Sequence, residues 1–201
     1  MIRLYDYLPS GNSYKVRLLL TQLGIPFERI EVDIIKGLTR TPEFLQKNRN
    51  GRIPLIEFED GKFLAESNAI LFYFAEGTPF LPTARWERAQ VLQWMFFEQY
   101  SHEPNIATSR FWLQHCELTP ERKAGLEQKR PLGYAALDVM EKHLTEQSFF
   151  VGDRYSIADI ALYAYTHVAD EGGFDLTPYA NVRAWVERVR SRPKHILITQ
   201  A

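Results

Sequence analysis

The stretch Asn50-Gly51-Arg52-Ile53-Pro54-Leu55-Ile56-Glu57-Phe58-Glu59-Asp60-Gly61-Lys62-Phe63-Leu64-Ala65-Glu66-Ser67 decides the fold. Apolar runs at 54–58 and 62–65 flank Asp60-Gly61, a hairpin signal in which glycine supplies the positive φ that a tight turn needs. A helical period opens at Ser67, with Ile70, Leu71, Phe74 and Ala75 along one side of a helix over 67–76. Upstream, residues 2–7 are short, apolar and aromatic, and Pro9-Ser10-Gly11-Asn12 breaks that strand. Val16, Leu19, Leu20 and Leu23 then recur at helical spacing until Gly24 and Pro26 stop them. Phe27, Ile30 and Val32 mark a second strand over 27–32, and a β-α-β unit this short demands a parallel pair with a right-handed crossover. Thr41-Pro42-Glu43 reads as a helix entry, Thr41 as cap and Pro42 in the first turn. The predicted order is β-α-β-α-β-β-α.

Beyond Gly77-Thr78-Pro79-Phe80-Leu81-Pro82 the pattern changes. Helical periodicity runs through 85–100, 120–144, 156–168 and 181–192, with no convincing strand among them. The expected organisation is therefore an α/β domain over 1–77, a linker over 78–84 and an all-α helical bundle domain over 85–201.

Composition narrows the function. Across 201 residues, 24 Lys+Arg oppose 25 Asp+Glu, and the balance holds in each part, 10 against 10 in 1–77 and 14 against 15 in 78–201. No single-sign surface is offered to nucleic acid or to a membrane. A hydrophobic content of 45% suffices for a packed core, and apolar stretches such as 69–75 are far too short to span a bilayer. Cys116 is the sole cysteine, so no intrachain disulfide forms and a reducing, cytoplasmic setting is the default. His102, His115, His143, His167 and His195 show no metal-ligand spacing, so no metal is expected.

Four local patterns in this frame resemble the cytosolic glutathione transferases, and the resemblance covers nearly the whole chain. Asn50-Gly51-Arg52-Ile53-Pro54-Leu55-Ile56 is similar to the family's N-G-[KR]-[IV]-P-x-[LI] segment. It implies a thioredoxin-like first domain with a cis bond before Pro54, the backbone of Ile53 pairing with the cysteinyl unit of glutathione. Glu66-Ser67-Asn68-Ala69-Ile70 resembles the family's E-S-x-A-I: Ser67, read as a helix N-cap, would receive the γ-glutamyl carboxylate and Glu66 its ammonium. Ser10-Gly11-Asn12-Ser13 falls where the family keeps its thiol-activating group. Ser10, six residues before Val16, matches the theta-like serine, and Asn12 the amide of the nu-like threonine-x-asparagine pair, with Ser13 as a capping residue. Ser156-Ile157-Ala158-Asp159 is similar to the family's structural capping box in the helical domain.

The chemistry explains why a hydroxyl belongs at Ser10. A glutathione thiol ionises near a pKa of about 8.5, and only its thiolate is a good nucleophile. Lowering that pKa by about 2 units requires about 2.7 kcal/mol. One or two charge-assisted hydrogen bonds of about 1.5–3 kcal/mol each supply it, from Ser10 and the Asn12 amide. Tyr7, and less so Tyr5, are the rivals, since other classes of the family use a tyrosine at the end of the first strand.

The resemblance further implies that Arg40 and Arg52 meet the glycyl carboxylate, and that Tyr100, Phe111 and Trp112 wall an apolar pocket for the electrophile. Glu98, His102 and Asn105 receive no definite role. It also implies a homodimer that uses glutathione as co-substrate and transfers it to small hydrophobic electrophiles. Glutathione-dependent disulfide reduction and a non-catalytic adaptor on the same fold are the alternatives.

Overall fold

The computed structural model describes residues 1–200. Contacts divide the chain into two compact units, Met1–Glu76 joined by the segment from Pro193 onward, and Gly77–Arg192. The sequence grouped that last segment with the helices; it packs instead with the first unit, because its backbone carbonyls are held by side chains of the first helix, as described below.

The first unit comprises β1 (Ile2–Asp6), α1 (Gly11–Leu23), β2 (Phe27–Glu31), α2 (Pro42–Lys47), β3 (Leu55–Glu57), β4 (Phe63–Ala65) and α3 (Ser67–Ala75), in the expected β-α-β-α-β-β-α order. The sheet runs β2-β1-β3-β4. β1 and β2 are parallel with Ile2 opposite Phe27, while β3 is antiparallel to both β1 and β4. Strand alternation splits the apolar residues between the two faces. Leu4 and Ile56 meet Val16 and Leu20 of α1 and Ile70 of α3 on one face; Leu55 and Val32 meet Phe44 of α2 on the other. Thr41 caps α2 through its Oγ1, which accepts from the Phe44 amide at 3.3 Å. Gly24 closes α1 at φ 70, a conformation that favours glycine. This is the thioredoxin-like domain that the resemblance implied.

The second unit is helical: α4 (Arg85–Phe97), a π-helical turn (Glu98–His102), α5 (Glu103–His115), α6 (Pro120–Leu144), α7 (Ile157–Thr166) and α8 (Ala180–Arg190). The sequence missed α5. Pro104 reads as a stop, because a proline ring collides with the carbonyl four residues back. The π turn, with its wider ring of hydrogen bonds, lies directly before α5 and leaves Pro104 in the first turn of that helix. Every residue of α7 is buried. Its capping box forms as expected: Asp159 Oδ2 accepts from the Ser156 amide at 2.9 Å and its hydroxyl at 3.1 Å. Asp159 Oδ1 accepts from the Phe150 amide and from Trp185 Nε1, at 3.1 and 3.0 Å. Among the described residues, no helix is long and apolar enough to cross a membrane.

Candidate functional site

Two helix N-termini of the first unit meet at the residues singled out by sequence. Ser10 is the N-cap of α1, in extended backbone, and its Oγ accepts the amide of Ser13 at 3.3 Å. The cap is therefore Ser10 and not Ser13, which lies buried in the first turn. A serine that accepts from the backbone keeps its own O–H for donation. The turn before it is closed by Ser10 N donating to the Tyr7 carbonyl at 2.8 Å.

Asn12 lies in the first turn of α1. Ser67 Oγ donates to Asn12 Oδ1 at 3.1 Å, so the carbonyl end of the amide faces α3 and the NH2 end is turned the other way. Ser67 is not itself the N-cap of α3. Glu66 holds that place, with φ 68 and ψ 112, and its carbonyl accepts the Ile70 amide at 2.9 Å. A non-glycine residue at such a φ is strained by about 1–3 kcal/mol and persists only where its surroundings enforce it. Asn50 Nδ2 approaches Glu66 Oε1 at 3.4 Å.

The Ile53–Pro54 bond is cis, with Pro54 buried and Ile53 partly so at the start of β3. The segment before it is braced from both sides. Asn48 Nδ2 donates to the Arg52 carbonyl at 2.8 Å, and Arg40 Nη1 donates to the Asn50 carbonyl at 2.9 Å. The Arg40 guanidinium lies where a Cβ on Gly51 would come within 2.6 Å of it, and Gly51 takes φ 62. Arg40 thus supports the backbone leading to Ile53, while the Arg52 side chain is exposed.

Neither rival tyrosine suits an anion beside it. Tyr5 donates its hydroxyl to Glu57 and stacks edge-on with Phe44; burial and that carboxylate raise its pKa. Tyr7 is raised by burial and by the fields of Asp33 and Glu31, the same negative surroundings that would oppose a thiolate.

The aromatic candidates sit in the helical unit. Tyr100 is 87% exposed in the π turn, Phe111 faces His115 at 5.5 Å between centroids, and Trp112 lies against Gly125 of α6 with Lys129 over its ring at 5.6 Å. Glu98 and His102 are internal to that unit, where His102 Nε2 lies 2.9 Å from Thr166 Oγ1, and Asn105 donates to the Ser101 carbonyl at 2.7 Å. Among the described residues, no group of three or more His, Cys, Asp or Glu is placed to hold a metal ion.

A feature that sequence reading missed is the buried ion pair behind α1. Arg17 and Asp6 are both fully buried, 2.6 Å apart, and Arg17 also holds the Leu8 carbonyl of the Ser10 turn. The signal was available as a charged residue on the apolar side of α1, next to Val16, Leu18, Leu19 and Leu20.

A mixed four-stranded sheet with a cis-proline leading into β3 and the N-termini of α1 and α3 tied beside each other, accompanied by a separate helical unit, defines a two-domain chain whose first domain is thioredoxin-like. The chain belongs to the glutathione S-transferase family: the family's N-terminal domain matches residues 1–76 and its C-terminal domain residues 92–193. It is similar to the crystal structure of a glutathione S-transferase from Pseudomonas fluorescens, 53% identical, with 99% of each chain covered and a TM-score of 0.97. The disulfide-bond oxidoreductase YfcG of Escherichia coli is 34% identical, over 96% of this chain and 92% of that protein. A glutathione transferase from Burkholderia graminis, solved with two glutathione molecules per subunit, is 29% identical, covers 96% of this chain and 85% of its own, and has a TM-score of 0.83.

Proposed function

We propose that the protein is a glutathione transferase that binds glutathione on the first unit and holds its sulfur as thiolate against Ser10 and Asn12. The observation that carries this reading is the paired geometry at the start of α1. Ser10 Oγ accepts the Ser13 amide and so has its proton to give, and Ser67 turns the NH2 end of Asn12 away from α3. Two donors near a helix N-terminus stabilise an anion in proportion to the charge it develops, without being consumed. Ile53 supplies the backbone edge beside cis-Pro54 for the cysteinyl unit, and Glu66 and Ser67 receive the γ-glutamyl end. Arg40 and Arg52 are assigned to the glycyl carboxylate, Arg40 through the loop it braces.

Glutathione is the co-substrate and a small hydrophobic electrophile the second substrate, with Tyr100, Phe111 and Trp112 as the aromatic surface proposed for it. The acting species is proposed to be a cytoplasmic homodimer, in keeping with Trp86 and Phe96, which expose 74% and 70% of their surfaces on α4. The test is ultraviolet thiolate absorbance titrated in the glutathione complex. A midpoint about 2 units below the free value of about 8.5 is expected, and a midpoint equal to it overturns the assignment.

A second reading has its own support. The Ser10-x-Asn12 pair in a chain 34% identical to a disulfide-bond oxidoreductase suits glutathione-dependent disulfide reduction. One bound thiolate attacks a substrate disulfide, releasing one substrate thiol and forming a mixed disulfide. A second glutathione thiolate then displaces the remaining thiol and yields glutathione disulfide. No cysteine of the protein is required. Parallel assays with an aryl halide and with a small dithiol substrate as its disulfide rank the two activities. Glutathione binding undetectable by calorimetry at millimolar concentration would instead favour the adaptor.

A further inference from the structure

One guanidinium joins the two ends of the first unit. Arg17 of α1 is fully buried; its Nη1 donates to Asp6 Oδ2 at 2.6 Å, and its Nη2 donates both to the Leu8 carbonyl at 2.9 Å and to the Ile198 carbonyl at 2.7 Å. Leu8 lies in the turn that is closed by Ser10 N on the Tyr7 carbonyl. Ile198 belongs to the C-terminal segment, and one helical turn earlier Tyr14 donates its hydroxyl to the Ile196 carbonyl at 2.7 Å, with His195 Nε2 3.2 Å away. The segment is fastened within itself as well, Leu197 N donating to Gln200 Oε1 at 2.6 Å and Ile198 being buried.

A buried arginine is held by the acceptors that its Nη groups reach, and removing one of them leaves a desolvated charge to bear more of its burial penalty. Withdrawal of the C-terminal segment would take away the Ile198 carbonyl and open the Asp6–Arg17 pair to water. The same Nη2 would then lose its fixed position against Leu8. We propose that the segment from His195 to Ile198 is a strap that sets the position of Ser10 through Arg17, making Arg17 a positioning residue for the thiol-activating turn. The inference rests on the reading of Ser10 given above, and its physical content is a coupling between two stretches of backbone nearly the whole chain apart. A donor aimed at sulfur acts over a few tenths of an ångström, so a turn held at Leu8 by one buried group and at Ser10 by its own hydrogen bond is placed more tightly than an exposed loop.

Two variants separate the parts. Tyr14→Phe removes the hydroxyl that grips the strap and keeps the Tyr14 amide on the Ser10 carbonyl, while Arg17→Lys keeps the charge facing Asp6 and loses the fork that spans both carbonyls. In the glutathione-free protein, hydrogen exchange is expected to rise about threefold or more over 193–200 in these variants and, with it, over the turn and helix start at 7–13. A turn that exchanges at the wild-type rate in both variants while the strap loosens overturns the coupling. In the glutathione complex, Arg17→Lys is expected to raise the thiolate midpoint by about half a unit and lower kcat about three- to tenfold, with KM for glutathione changed less than about twofold. An unmoved midpoint in Arg17→Lys beside a lowered one in the wild type also overturns the proposal. If the wild-type midpoint is itself not lowered, the transferase reading fails, and the exchange measurement still judges the strap.

Discussion

The hydroxyl of Ser67 at the start of α3 is donated to Oδ1 of Asn12 in α1 at 3.1 Å, so this hydrogen bond ties the N-termini of α1 and α3 together. Ser67 orients the Asn12 amide, and in the proposed reading its backbone N–H is left to the γ-glutamyl carboxylate. Ser67→Ala is expected to weaken glutathione binding by up to about tenfold, because it removes the hydroxyl that fixes the Asn12 amide, one neutral hydrogen bond of about 0.5–1.5 kcal/mol, while leaving the backbone N–H in place. Calorimetry checks it, and an unaltered dissociation constant removes Ser67 from the site.

Ser10 combines capping with the proposed donation to sulfur, and the two can be separated. Ser10→Ala is expected to lower stability by about 1 kcal/mol through the lost cap and to cut turnover with an aryl halide about 100-fold. Glutathione affinity should stay within a few fold. Ser10→Thr keeps both the acceptor and the O–H, so it should restore most of each. Unchanged turnover in Ser10→Ala would transfer the role to Asn12 or Tyr7.

Glu66 is the strained residue of the site, at φ 68 on the N-cap of α3. Glycine adopts that φ freely, so Glu66→Gly is expected to hold or raise the melting temperature, by the equivalent of about 1 kcal/mol, while weakening glutathione binding. A melting temperature lowered by several degrees would show that the side chain, and not the backbone, fixes this corner.

Much of this was legible because local signals and fold agreed. Asp60-Gly61 forced the hairpin, Gly24 and Pro26 stopped α1, and Leu55 and Ile56 could only be buried on opposite faces. The site was legible as a set of residues but not as contacts. The sequence gives no sign that Ser67 bonds Asn12 across 55 positions, or that Glu66 and not Ser67 is the cap, since both depend on how α3 docks beside α1. α5 was hidden because the π turn that accommodates Pro104 has no periodic signature. The strap was hidden for a simpler reason: its hydrogen bonds go to backbone carbonyls at Ile196 and Ile198, and carbonyls are the same in every residue.

In the helical unit, Asp159 is fully buried, and burial pushes its carboxyl from 3.8 up to about 6 against the pull of Trp185, Phe150 and Ser156. The native state then binds more protons than the unfolded chain between about pH 4 and 6. Taken alone, this group favours the fold most at low pH, and about 3 kcal/mol of that preference is lost as pH rises through about 6. Carbon-13 titration of the aspartate carboxyls should show one native signal with a midpoint near 6. A midpoint near 4 would mean that the four hydrogen bonds outweigh the burial.

Gly133 in α6 offers a test in which two effects of opposite sign compete. Glycine inside a helix ordinarily costs up to about 1 kcal/mol relative to alanine, so Gly→Ala at an open helical position stabilises. Here an added Cβ would lie 2.4 Å from Cε1 and 2.6 Å from Cζ of Phe174, whose ring is itself buried and packed edge-on against Tyr134. Moving that ring costs about 1–3 kcal/mol by overpacking, which exceeds the propensity gain. Gly133→Ala is therefore expected to lower the unfolding free energy by about 1–2 kcal/mol in denaturant melts. Pairing it with Phe174→Leu, which withdraws the colliding atoms, should make the alanine less costly than it is alone. A stabilising Gly133→Ala would mean that the ring has room to turn and that this close approach does not set the packing of α6.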